Sequence, residues 1–207
     1  SGVMSKKPII VFEGIEGSGK TTHINFVSSY LKKKNIRFIK IREPGGSKNS
    51  EKIRNLILSN KSNFNKKTDL LLYMAARSEN VSLLNKFYKK RVILIDRFID
   101  STIAYQHYGL GVDISLIKKI NEDLLKKIKI SFTFLNTVNQ KNMINRLKKR
   151  GKLNRYDKFS YSFYKKVQDG YLKLSKKNKN IYKIIDSNSD IKKNKEMILY
   201  KINKLIK

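Results

Sequence analysis

Cysteine and tryptophan are absent from the 207 residues, proline occurs twice, and Asp and Glu together number 16 against 47 Lys and Arg. Without cysteine there is no disulfide framework, no thiolate zinc site and no thiol nucleophile. Long apolar runs are missing as well. Ile9 to Phe12 and Val92 to Ile95 are strand-sized, well short of the roughly 18 to 20 residues of a membrane span, so a soluble, cytoplasmic protein with no membrane contact is expected. The N-terminus has no secretory apolar segment, and Ser1-Gly2-Val3 before Met4 reads as the remnant of a cleaved tag. A hydrophobic fraction of 40% is enough to close a core, and residues 4–207 are expected to form one domain.

The formal charge of +31 admits two readings. A basic surface drives polyanion binding by counterion release. Yet Lys, Asn and Ile are abundant together, as in Lys32-Lys33-Lys34-Asn35-Ile36 and Lys176-Lys177-Asn178-Lys179-Asn180-Ile181, and all three share AT-rich codons. The lysines are scattered rather than gathered in one arm with interleaved aromatics. Coding bias is the preferred reading, and no nucleic-acid partner is expected.

Lys7 to Glu13 reads as a buried strand that runs into Gly14, and His23 to Lys34 carries helical apolar spacing at Ile24, Val27 and Leu31. Further strands are expected at Ile36 to Ile41, Arg91 to Ile95, Ile130 to Leu135 and Ile181 to Ile185. Helices are expected near 48–59, 68–88, 99–107, 113–127, 139–149, 160–177 and from 190. Five short apolar strands, each followed by helix, predict an α/β fold: a five-stranded parallel sheet covered by helices on both faces. In such a sheet ligands bind at the carboxyl ends of the strands.

At the first of those ends, Gly14-Ile15-Glu16-Gly17-Ser18-Gly19-Lys20-Thr21 matches the phosphate-cradling loop G-x-x-x-x-G-K-[ST] at every fixed position. The glycines let successive N–H groups turn onto phosphate oxygens, and the following helix offers its positive end. Lys20 then reaches the β/γ oxygens and Thr21 can ligate Mg²⁺. The dinucleotide fingerprint G-x-G-x-x-G does not fit, since the sixth position after Gly17 onward is Thr22.

Asp96-Arg97 closes the third strand, either as a salt-bridged strand end or as site residues. Thr102, Tyr105 and Gln106 fall at i, i+3 and i+4, as do Tyr73 and Arg77 at i and i+4, so each group shares a helical face. An aromatic plane beside a fork of donors suits a flat base with carbonyl oxygens, although each pair alone is also ordinary helix packing.

Gly14 to Thr22, Arg42-Glu43-Pro44-Gly45-Gly46, Ala75-Ala76-Arg77, Asp96-Arg97, Ser101-Thr102 with Ala104-Tyr105-Gln106, and Arg150-Gly151 with Arg155 resemble, in order and spacing, the motifs of bacterial thymidylate kinases. The match runs from Lys7 to Asp186. It implies a P-loop nucleoside monophosphate kinase fold, ATP-dependent conversion of dTMP to dTDP, Mg²⁺ and a homodimer. The same resemblance implies that Gly14 to Thr22 and Arg150 bind ATP, with Arg150 on adenine, Arg146 the second candidate and Asp186-Ser187-Asn188 beside the base. It also implies that Glu43, Arg54, Tyr73, Arg77, Arg97, Thr102, Tyr105 and Gln106 hold dTMP, and that Thr21 and Asp96 serve the metal. Lys20, Arg97 and Arg155 are the implied catalytic cations. Some members carry an arginine in the phosphate loop after the acidic residue, but here Gly17 follows Glu16. The charge is therefore assigned to a lid at about 149–158, Arg155 above all, with Gly151 as hinge. Three positions depart from the pattern: Tyr73 replaces Phe, Phe98 replaces Tyr or His, and His107 to Gly111 lacks an arginine.

Overall fold

The computed structural model describes residues 6–207; the tag remnant expected at 1–3 lies outside the described residues. Strand β1 (Ile9–Glu13) is followed by α1 (Lys20–Lys33), β2 (Phe38–Arg42), α2 (Lys48–Leu58), α3 (Lys66–Phe87) and β3 (Val92–Asp96). After β3 come α4 (Ile99–Thr102), a π-helical stretch (Ile103–Gly109) and α5 (Ile114–Leu125). The chain continues through β4 (Phe132–Thr137), α6 (Gln140–Lys148), a 3₁₀ turn (Arg155–Asp157), α7 (Tyr161–Lys177), a second 3₁₀ turn (Lys179–Ile181), β5 (Tyr182–Asp186) and α8 (Ile191–Ile206). The five strands form one parallel sheet in the order β2-β3-β1-β4-β5.

Alternation along β1 explains why both sheet faces are covered. Successive side chains point to opposite faces. Ile10 and Phe12 join Ile24, Val27 and Leu31 of α1 and Ile198 and Ile202 of α8. Ile9 and Val11 join Leu84 of α3 and Leu125 of α5 on the other side. A third cluster packs α7 (Phe163, Tyr164, Val167, Tyr171) over Tyr105, Leu135 and Tyr156.

Two differences from the sequence reading have clear causes. Each strand ends one or two residues later than its apolar run, except β1, so that Arg42, Asp96, Thr137 and Asp186 are included. Ladder pairing such as Arg42 with Asp96 and Thr137 with Asp186 carries the strand past the last hydrophobic residue. The single helix expected over 99–107 is divided: a short α4 gives way to π geometry over 103–109, a distortion common at functional sites. The wider turn fits beside α7, where a methyl group on Gly170 would strike the Tyr108 ring at 2.6 Å.

Candidate active site

All five strands point their carboxyl ends the same way, and the loops that leave those ends build the site. The phosphate loop joins β1 to α1, with Gly17 and Gly19 at φ +75° and +80°, a region costly for other residues. Gly14 has no room for a side chain, since a Cβ there would sit 2.5 Å from Ser18 Oγ and 2.8 Å from Asn136 O. Ile15 is buried in the core and can offer ligand only its backbone. From β4, Asn136 Nδ2 donates to Ser18 O at 2.9 Å and lies 2.9 Å from His23 Nδ1, which fixes the loop from below. Lys20, the first residue of α1, is buried and ion-paired with Asp96 Oδ1. Burial pulls its pKa down, and the charge of Asp96 opposes that shift. Thr21 and Thr22 are exposed at the helix start.

Arg97 follows Asp96 in the left-handed region at φ +67°. Its Nη1 lies 3.2 Å from Glu16 Oε1, and its guanidinium sits over the Tyr105 ring at 5.0 Å. Tyr105 OH donates to Glu16 Oε2 at 2.6 Å, so Glu16 holds both side chains against the phosphate loop.

After β2 the chain turns through Glu43-Pro44-Gly45-Gly46. A Cβ on Gly46 would meet Ile41 Cγ2 at 2.6 Å, which accounts for the glycine there. Arg54 Nη1 donates to Pro44 O at 2.7 Å. Glu43 Oε1 accepts from Arg77 Nε at 2.9 Å and Nη2 at 2.8 Å. Arg77 also donates to Thr102 Oγ1 at 2.9 Å and to Asn121 Oδ1 at 2.6 Å, and it lies over the Phe98 ring. Phe98, the departure noted in the sequence, therefore supplies a face for this buried guanidinium.

Two connected spaces result. A cleft of about 570 Å³ is lined by Glu16, Lys20 and Thr21 on one side and by Arg42 to Pro44, Arg54, Tyr73 and Arg97 on the other. That volume suits a small-molecule site. Beneath it, a cavity of about 30 Å³ is lined by Glu43, Tyr73, Arg77, Arg97, Thr102, Tyr105 and Gln106 among others. The residues expected to hold dTMP thus converge, Arg54 on the cleft and the rest on the cavity.

The lid differs from expectation in detail. Lys149 to Lys152 are exposed, whereas Asn154 to Asp157 form a 3₁₀ turn closed by reciprocal bonds between Asn154 and Asp157. Arg155, expected on the cleft, is not among its lining residues. Its Nη2 lies 2.6 Å from Asp69 Oδ1 and its Nε donates to Ile57 O at 2.9 Å. Asp69 is 2% exposed, and a carboxylate buried that deeply demands a counter-charge. Arg150 instead faces the cleft, bonded to Asp157 Oδ1 at 3.0 Å. Arg146, the second candidate for adenine, packs on the phosphate loop. It donates to Gly17 O at 2.6 Å and Ser187 O at 3.1 Å, because the last turn of α6 packs on the phosphate loop while Arg150 lies beyond the helix end.

Sequence reasoning missed Asn121, Asn136, Asp69 and Tyr156. Asn121 interrupts the buried stripe Ile117, Asn121, Leu125 of α5, and a polar residue within an apolar stripe is a readable signal. Asp69 precedes Tyr73 and Arg77 by four and eight residues on α3, and so shares their face. Asn136, inside the apolar strand β4, offered no periodic cue.

The thymidylate kinase family model matches residues 12–198 of the chain. The thymidylate kinase of Thermosipho africanus is 40% identical over 184 residues, covering 88% of this chain and 90% of that protein. That of Kosmotoga olearia is 34% identical over 192 residues, covering 92% of each. A crystal structure of thymidylate kinase from Ehrlichia chaffeensis superposes with a TM-score of 0.75 at 32% identity, covering 95% of this chain and 98% of that one. Phosphate loop, Arg77 pocket and parallel sheet thus coincide with a match over almost the whole length, and the chain belongs to the thymidylate kinase family.

Proposed function

We propose that the chain transfers the terminal phosphoryl group of ATP to dTMP, giving dTDP and ADP, in the supply of dTTP. One observation carries this reading: the phosphate-loop residues Lys20 and Thr21 and the acceptor-side residues Arg54, Tyr73 and Arg97 line the same cleft. Donor and acceptor are both anions, and phosphoryl transfer is catalysed mainly by positioning and charge. Lys20 and the loop amides hold the donor phosphates, with Arg146 and Ser187 beside its base. Arg54 and Arg97 hold the acceptor phosphate, while Tyr73, Arg77, Thr102 and Gln106 surround the acceptor base. Tyr105 and Glu16 lie at the sugar. Of the lid arginines, Arg150 reaches the cleft as it stands, and Arg155 anchors the lid through its ion pair with Asp69.

The site suits Mg²⁺. Thr21 and Asp96 bring a hydroxyl and a carboxylate to one cleft, and Mg²⁺ takes few protein oxygens, with phosphates and water completing its octahedron. Bound there, it would neutralise phosphate charge. A cytoplasmic homodimer belongs to the same proposal on family grounds; sedimentation tests the dimer. The function is tested by ADP release with dTMP, dCMP, dGMP, thymidine or single-stranded DNA as acceptor. dTMP alone should support rapid turnover. Faster turnover with thymidine would point to a nucleoside kinase, and stimulation by DNA to a nucleic-acid-dependent ATPase.

A further inference from the structure

The lid and the acceptor-base cavity meet at one phenol. Tyr156 is 3% exposed, and its ring stands edge-on to Tyr73 at 5.7 Å. Its hydroxyl donates to Asp69 Oδ2 at 2.9 Å and lies 3.1 Å from Gln106 Nε2. The other end of that amide, Gln106 Oε1, is buried without a hydrogen-bond partner among the described residues, and Gln106 lines the cavity. A buried acceptor left unmatched in a folded protein calls for a partner.

The direction of these bonds is not free. Asp69, ion-paired with Arg155, can only accept. The single proton of Tyr156 must therefore go to Asp69, and burial keeps that phenol protonated by driving its pKa up. What remains on the phenol oxygen toward Gln106 is a lone pair, so the amide must present its NH₂ to Tyr156. Its carbonyl is then the end left for a ligand.

We propose that Asp69 and Tyr156 are specificity-determining positioning residues. Through the Tyr156 hydroxyl, the Asp69 carboxylate fixes Gln106 with its carbonyl toward the acceptor base, which favours a pyrimidine carrying a ring N–H over one with a bare ring nitrogen. Thymine offers N3–H to that carbonyl. Cytosine offers a lone pair at N3, and two acceptors then face each other in a buried site. The inference rests on the assignment of this cavity to the acceptor base.

The test is the ratio of kcat/KM for dTMP to that for dCMP, measured on the wild type, Tyr156→Phe and Asp69→Asn. Tyr156→Phe keeps the ring packing and removes the relay, so the amide is free to turn. The ratio should shrink at least about tenfold, with dCMP gaining and dTMP losing, while KM for ATP stays within about twofold. Asp69→Asn can offer an NH₂ to the phenol and reverse it, so it should shift the ratio in the same direction. A purely structural role would lower both acceptors together and leave the ratio unchanged, and that result overturns the relay. A wild type that does not prefer dTMP to dCMP would instead overturn the reading of the cavity, and the relay with it.

Discussion

Arg77 and Glu43 face each other inside the protein with side chains 3% and 7% exposed, joined by two bonds from the guanidinium to a single carboxylate oxygen. Thr102, Asn121 and, at 3.8 Å, the Met74 sulfur take the remaining Arg77 donors. A base entering the cavity must therefore displace a protein acceptor from Arg77, and of these Glu43 and Thr102 line the cavity. The pair is part of the scaffold as well as of the site.

Arg77→Ala should accordingly do two things. KM for dTMP should rise while ATP affinity is spared, and stability should fall by about 3 kcal/mol because the buried Glu43 side chain loses its counter-charge. Urea denaturation checks the second effect and initial-rate kinetics the first. Equal losses for both substrates would show that the variant has merely collapsed.

Lys20→Ala should cut kcat by about 100-fold or more, since it removes the loop's side-chain cation from the transferring phosphate. Its partner Asp96 keeps 21% side-chain exposure and regains some water, so the melting temperature should change little. Near-normal turnover would remove this loop from the mechanism.

The two lid arginines should separate by stability. Arg155→Ala strips the counter-charge from buried Asp69 and should cost about 3 kcal/mol, alongside a loss of kcat that exceeds any change in either KM. Arg150→Ala, at a side chain 47% exposed, should leave stability within about 1 kcal/mol and act on turnover alone. Thermal melts and steady-state rates on the same two proteins decide between these patterns.

Glu13 predicts a pH effect. Its carboxyl is buried under the turn after β3, where it accepts from the N–H groups of Phe98 at 3.2 Å and Ser101 at 3.0 Å. Burial, and then the charge of Asp100, raise its pKa from 4.5 to about 7. A raised acid favours its neutral form when folded, so its contribution is full below pH 4.5 and is lost as pH climbs through 7. The wild type should lose roughly 3 kcal/mol from this group between pH 4.5 and 8. In Glu13→Gln that slope should be absent; an unchanged stability profile would show that Glu13 does not titrate in this range.

The sheet was legible because apolar runs alternate with helical spacing, and the phosphate loop because every fixed position of its motif is present. Arg77, Thr102 and Gln106 were legible from their shared faces. Side-chain direction was harder. Arg155 lies in the lid as expected but turns to Asp69, 86 positions away in the chain, and pairing over that separation leaves no periodic trace. Arg146 and Arg150 had only sequence proximity in common; α6 ends at Lys148, close to the expected 149, which puts Arg146 on the phosphate loop and leaves Arg150 in the exposed segment that follows.

Strand order also governs how the protein comes into being. β1 is made first yet lies at the centre of the sheet, between β3 and β4. Its partners Ile93 to Asp96 and Phe132 to Leu135 arrive much later in the chain. At roughly 5–20 residues per second of synthesis, the run Ile9 to Phe12 waits on the order of ten seconds for its second neighbour. Until then its apolar side chains are open to other partners, and Asn136 is not yet present to brace Ser18. During translation the phosphate loop therefore cannot gain its brace from Asn136 until β4 has been made.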